Sequence, residues 1–333
     1  MARGRGRSGS RRRSAGVAVL GLLLVGGLPA VAAAQDTVAF TIRDSRITES
    51  SGLAADAAED LYWTVNDSGD GGVVYGLEPD GSLRGTLRFR ASVTDVEAVA
   101  VDGERLYVAD IGDNRAARGR VSIYLFNNPR AAGRTVTYNS YDFRYPDGAH
   151  DAETLLVDPD GRLLIVTKGA PGGIYRAPES PSRLGTNVLS RVGDAPALVT
   201  DGVFLPGGHQ IALLTYGSVE VVDAKTYKQV SSTPIPDQPQ AESLAVNLAG
   251  NGLLVGSEGR DSVVYALPLP GTGATPTAKP SSTPSGAGKD PGAGAEEAAR
   301  PPAAGRRGTL MAVGLAAVVA VAAGVVVGVV RKP

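Results

Sequence analysis

A five-bladed β-propeller is the architecture this sequence predicts, and three observations predict it. Through residues 36–270, short apolar runs rich in valine, leucine and tyrosine alternate with Asp-Gly and Gly-Gly turns, with little sign of a helical period. The runs recur. SGLAA from Ser51, EAVAV from Glu97, ETLLV from Glu153, DGVFL from Asp201 and ESLAV from Glu242 begin at intervals of 46, 56, 48 and 41 residues. Each is followed by a turn and a second strand (LYWTVN, RLYVAD, LLIVTK, IALLTY, LLVGSE), and most by a third and a fourth. Units of about 40–50 residues with up to four strands are blade-sized. Six blades is the second count, if residues 127–148 hold another blade, and a β-sandwich comes third.

The ends set the compartment. An arginine-rich start, the apolar run Val17–Val25 and Ala32-Ala33-Ala34 make residues 1–34 a secretory signal. The propeller is assigned to residues 35–270. Residues 271–308 are dominated by proline, alanine, glycine, serine and threonine, too few apolar groups to offset chain entropy, and form a stalk. Residues 309–330 carry no charge and are long enough for one transmembrane helix, leaving 331–333 as a cytoplasmic tail. The expected location is the cell membrane, single-pass, with the N-terminal domain outside. LPGTG at 269–273 has the form of a sorting signal but stands far ahead of the apolar span. With no cysteine, the exported domain must be held by its core alone. A net charge of −1 argues against a nucleic-acid partner.

Each blade needs an outer strand, and the fifth repeat has none before the stalk begins. The segment Thr37–Arg43 is predicted to supply it and so to close the ring. The repeat also aligns polar residues. Ser51, Glu97, Glu153, Asp201 and Glu242 open the first strands, and Asn66, Asp110, Lys168, Tyr216 and Glu258 close the second. Antiparallel neighbours put both sets at one mouth of the central channel. Carboxylates crowded there raise one another's pKa unless a cation intervenes. A hard divalent ion with oxygen ligands, calcium by preference, is one solution, with Glu97, Glu153, Asp201, Glu242, Asn66 and Asp110 as candidate ligands. The plainer reading makes each acid a hydrogen-bond acceptor for a neighbouring turn. The same choice applies to the loops Asn66–Asp70 and Asp110–Asn114. His150, in GAHDAE, is a candidate base near the mouth or a surface histidine. No nucleophile elbow, P-loop or dinucleotide fingerprint appears.

SGL with a strand ending WTVND (Ser51–Asp67), DAETLLVDPDGRLLIVTK (Asp151–Lys168), AESLAV (Ala241–Val246) and SEG (Ser257–Gly259) resemble the phytase-like and lactonase bacterial propellers. The resemblance implies a divalent-metal site at the mouth, with Glu97, Glu153 and Glu242 as ligands or bases and Lys168 as a substrate contact. Among the mouth positions only Lys168 is basic; Arg115 and Arg260 stand in adjacent loops. That shortage counts against phosphate esters. Two functions follow. The leading one is a membrane-anchored binding or scaffolding module for an extracellular glycan, peptide or protein. The alternative is a divalent-metal-dependent hydrolase with Glu153, Glu242 and Lys168 as its catalytic groups.

Overall fold

The structure, a computed structural model, describes residues 37–271 apart from residue 68. The predicted signal, stalk, span and tail lie outside the described residues. Among the described residues no helix is long and apolar enough to cross a membrane. All the described elements are strands, grouped in five sheets.

The chain opens with β1 (Thr37–Ile42) and then lays down blade one: β2 (Ser50–Asp56), β3 (Leu61–Asn66), β4 (Val73–Leu77) and β5 (Leu83–Arg88). Blade two is β6 (Val96–Asp102), β7 (Arg105–Asp110) and β8 (Val121–Asn127). After a detour through β9 (Arg134–Thr135) it ends with β10 (Asn139–Arg144). Blade three is β11 (Ala152–Val157), β12 (Leu163–Thr167) and β13 (Gly172–Arg176), then β14 (Thr186–Val188) and β15 (Ser190–Ala195). Blade four is β16 (Val199–Phe204), β17 (Gln210–Thr215), β18 (Ser218–Asp223) and β19 (Gln229–Pro234). Blade five has β20 (Ala241–Val246), β21 (Gly252–Ser257) and β22 (Ser262–Pro268). Its outer strand is β1, antiparallel to β22 in the register Thr37↔Ala266 to Ile42↔Ser262. The predicted N-terminal closure is therefore observed. Innermost strands meet in sequence around the ring, with β2 touching both β6 and β20.

Residues 127–148 form no sixth blade. β9 pairs in parallel with β5 on the outer edge of blade one, and β14 does the same to β10 of blade two. Both straps cover edges that would otherwise offer unpaired backbone groups to another chain.

Five apolar clusters fill the five gaps between blades. Trp63, Leu61 and Phe89 of the first blade meet Val108, Tyr124 and Phe126 of the second. Phe40, Ile42 and Val264 of the fifth meet Leu53, Tyr62 and Leu77 of the first. The other three clusters follow the same scheme. Because both faces of a blade are covered, middle strands such as β3 are buried at every position, which explains why they read as continuous apolar runs. Each large side chain so buried contributes about 1.5–3 kcal/mol. Trp63 is wholly buried, and its indole N–H donates to Asp56 Oδ2 at 2.9 Å.

Candidate active site at the channel mouth

Each of the five innermost strands carries a β-bulge at its first turn of pairing. A bulge adds one residue to one strand and re-aims its side chain. The extra residue is Glu97 in blade two, Glu153 in blade three, Thr200 in blade four and Glu242 in blade five. In blade one the register skips Gly52, and Ser51 just before it, paired with Val65 and aligned with Glu97 in the repeat, stands at the mouth. The first tier of the mouth is thus Ser51, Glu97, Glu153, Thr200 and Glu242. Asp201, aligned with these acids in the sequence, is one residue deeper. Ser51 and Thr200 donate their hydroxyls, each at 2.6 Å, to the carbonyls of Glu97 and Ala241 in the following blade.

Three buried glutamates therefore converge from blades two, three and five, exposed by only 5%, 4% and 3% for Glu97, Glu153 and Glu242. One cation joins two of them. The Lys168 ammonium is bonded to Glu153 Oε1 and lies 4.0 Å from Glu242 Oε1. It also sits 5.2 Å from the centre of the Tyr216 ring, whose hydroxyl donates to Glu242 Oε1 at 3.3 Å. Gln240 Nε2 spans Glu242, at 3.4 Å, and Glu258. Glu153 Oε2 is buried with no hydrogen-bond partner.

Three carboxyls facing one ammonium leave the site short of positive charge. Burial, then the charges of Asp95, Asp67 and Glu242, push Glu97 well above the usual carboxylate range. Burial and the charges of Glu242 and Glu97 raise Glu153 against the pull of Lys168. Burial raises Glu242 as well, with Lys168 opposing. At the rim, burial and Glu242 lift Glu258 to about 7. Burial alone would lower the Lys168 ammonium; Glu153 and Glu242 outweigh it and raise it. Glu97 and Glu153 accordingly hold protons more tightly than an ordinary carboxyl, while Lys168 stays charged.

The other predicted ligands have different employment. Asp201 is 1% exposed. Its carboxylate accepts the backbone N–H groups of Leu244 (2.6 Å), Gly202 (2.8 Å) and Leu53 (3.3 Å), tying blades five, four and one together. An innermost strand has no neighbour on its channel side, so these donors need an acceptor from elsewhere. Burial outweighs the three donors and raises Asp201 well above its ordinary value. Asp110 accepts from the N–H groups of Thr94 and Asp95, both at 3.0 Å, and pairs with Arg118 at 2.7 Å. Asn66 accepts from Thr48 and Glu49, both at 3.1 Å. Asn66 and Asp110 close β3 and β7, but Thr167, Thr215 and Ser257 are their counterparts; Lys168 and Glu258 lie one residue further on. Among the described residues no group of three or more histidine, aspartate or glutamate side chains stands close enough together to hold a metal ion.

His150 faces Asp147 and the Tyr175 hydroxyl, each at 3.0 Å, and is edge-on to Tyr145, so its ring nitrogen is engaged away from the glutamates. Asp95 and Gly112 were not anticipated. A Cβ built on Gly112 would stand 2.4 Å from Glu97 Oε1 and 2.5 Å from Asp95 Oδ2, so this glycine leaves room for an acid pair. Burial and Asp151 raise Asp95. The signal was present as the repeated Asp-x-Glu of Asp95–Glu97 and Asp151–Glu153.

No protein-family model matches the chain, and no curated protein matches it. Among solved structures it is similar to a gluconolactonase from Xanthomonas campestris, with 15% identity and a TM-score of 0.42, over 68% of this chain and 89% of that one.

Proposed function

We propose that the channel mouth is a hydrolytic centre for carboxylic esters or lactones. One observation carries this: three buried glutamates with raised pKa values meet from three blades, two of them, Glu153 and Glu242, against a single lysine, and Glu153 Oε2 takes no hydrogen bond. Buried titratable groups with shifted pKa values in a concave mouth are the usual mark of acid–base chemistry. Glu153, raised enough to hold a proton near neutral pH, is suited to give it to a leaving alkoxide and, once ionised, to take one from water. Lys168 stays cationic and stabilises negative charge as it develops on a carbonyl oxygen. Tyr216 and Gln240 orient Glu242.

A divalent cation suits the chemistry of the donors. The carboxyls of Glu97, Glu153 and Glu242 are hard oxygen ligands, Glu153 Oε2 is an orphaned buried atom, and a cation that displaced their protons would face three carboxylates and one ammonium, a balance that suits two positive charges. These three glutamates would hold it, calcium being favoured by an all-oxygen set. When bound, it would polarise a carbonyl oxygen.

Phosphate esters fit poorly. Lys168 is already paired with Glu153, and Arg115 and Arg260 form no ion pair with the mouth among the described residues. The scaffolding reading gains no support, because the exposed large apolar residues (Val38, Leu184, Val188, Leu198, Tyr216 and Val230) are scattered over separate strands and loops. The expected signal, stalk and span would present this site outside the cell; protease treatment of intact cells should release the propeller.

The test is turnover of a δ-lactone and of an aryl acetate by the full-length protein, with bound metal measured in parallel. Turnover abolished by Glu153→Gln, with the fold retained, supports the proposal. Absence of turnover with and without added calcium overturns it.

A further inference from the structure

A second groove lies between blades one and two, with none of the three mouth glutamates in its lining. It has a volume of about 420 Å³, and its lining includes Arg90, Arg118, Arg120, Tyr138, Ser122 and Asp142. The strap that detours through β9 builds one of its walls. Tyr138, at the end of that strap, donates its hydroxyl to the Arg90 carbonyl at 3.1 Å. Its ring packs edge-on against Phe89 and Tyr124, with centroids 5.7 and 5.2 Å away. A regular blade has no need of this excursion, so the strap both covers an edge and shapes a cleft.

The charges are unevenly committed. Arg118 is fixed by Asp110 at 2.7 Å and by the Gly112 carbonyl at 2.6 Å. Arg120 meets Asp142 at 3.3 Å but is 68% exposed, and Asp142 also accepts from Ser122 Oγ at 2.7 Å. Arg90 is exposed and enters no ion pair among the described residues. Three guanidiniums against two carboxylates leave one positive charge unmatched. Ser92, Ser122 and Ser140 place hydroxyls along the same cleft.

We propose that this groove binds a saccharide bearing a carboxylate. A guanidinium presents a planar fork that matches a carboxylate, and Arg90 with the loosely held Arg120 supplies it. Serine hydroxyls both donate and accept, as a polyol requires. The Tyr138 ring gives an apolar face for the C–H side of a sugar ring. The site does not depend on the chemistry at the channel mouth.

The experiment is calorimetric titration of the full-length protein with trigalacturonate, maltotriose and inorganic phosphate at low and at moderate salt. Trigalacturonate should bind at least tenfold more tightly than either of the others, and binding should weaken as salt screens the guanidiniums. The double variant Arg90→Gln/Arg120→Gln should lose at least tenfold in affinity, whereas Glu97→Gln at the mouth should leave it unchanged. The proposal is overturned if trigalacturonate does not bind, if maltotriose or phosphate binds as tightly, or if the double variant binds as well as the parent with its melting temperature retained.

Discussion

Two buried carboxyls at neighbouring tiers of one channel have opposite fates. Asp201 is committed to three backbone N–H groups from three blades. Glu153, equally buried, is bonded through Oε1 to Lys168, and its Oε2 faces no donor. Both are raised by burial. The contrast teaches that a shifted pKa does not by itself distinguish a rivet from a reagent. What distinguishes them is whether the lone pairs are spoken for.

The largest expected effect falls on Asp201. Asp201→Ala orphans three buried donors at roughly 1–3 kcal/mol each, so urea unfolding should show a loss of about 4 kcal/mol. Asp201→Asn, which keeps an acceptor, should lose less than half of that. A loss below about 1 kcal/mol for the alanine variant would show that the ring does not depend on this clasp. Glu153→Gln should do the reverse: its unfolding midpoint should stay within error or rise, because an uncharged amide suits the buried site, while kcat/KM falls at least 100-fold, about 2.7 kcal/mol in the barrier. If the two variants behaved alike, the contrast would collapse.

Gly112→Ala comes next. Its methyl would press on the ends of Glu97 and Asp95 and not on backbone, so turnover should fall about tenfold with stability nearly unchanged. Gly85→Ala makes a useful control. There the added methyl would stand 2.0 Å from the Ala131 carbonyl oxygen, and the strap itself must move.

The smallest effect is on pH dependence. Glu258, raised to about 7, holds a proton in the folded protein where the unfolded chain has released it. The Glu258 share of stability should therefore fall as pH rises from about 4.5 to about 7, and Glu153, raised to about 10, carries the fall further, with Glu97 and Glu242 acting in the same direction. Melting scans at pH 5 and pH 8 check this, and Glu258→Gln should flatten the slope. Added calcium should raise the melting temperature more at pH 8 than at pH 5, because fewer protons compete for its carboxylate ligands.

Much of this was legible in the sequence. The blade count and the convergence of Glu97, Glu153 and Glu242 followed from one recurring position, and the closure by Thr37–Arg43, observed over Thr37–Ile42, from the strand the fifth repeat lacks. What misled was the β-bulge. One extra residue per innermost strand decides which side chain reaches the mouth, and TDGVF admits two alignments that place either Thr200 or Asp201 there. The same one-residue offset set Asn66 and Asp110 beside Lys168 and Glu258 as equals. The straps were missed because strands of two and three residues leave no periodic trace.

The pairing of β1 with β22 joins the earliest and the latest strands of the described chain. Blade five cannot be completed until synthesis has passed Pro268, because the contacts with the greatest sequence separation close last. During that interval the first strand must wait without its partner, its edge open to any other unpaired strand. A chain cut short anywhere in β20–β22 would keep that edge, and its apolar face, on display. The closure thus doubles as a check on length: only a chain that extends through Pro268 can cover β1.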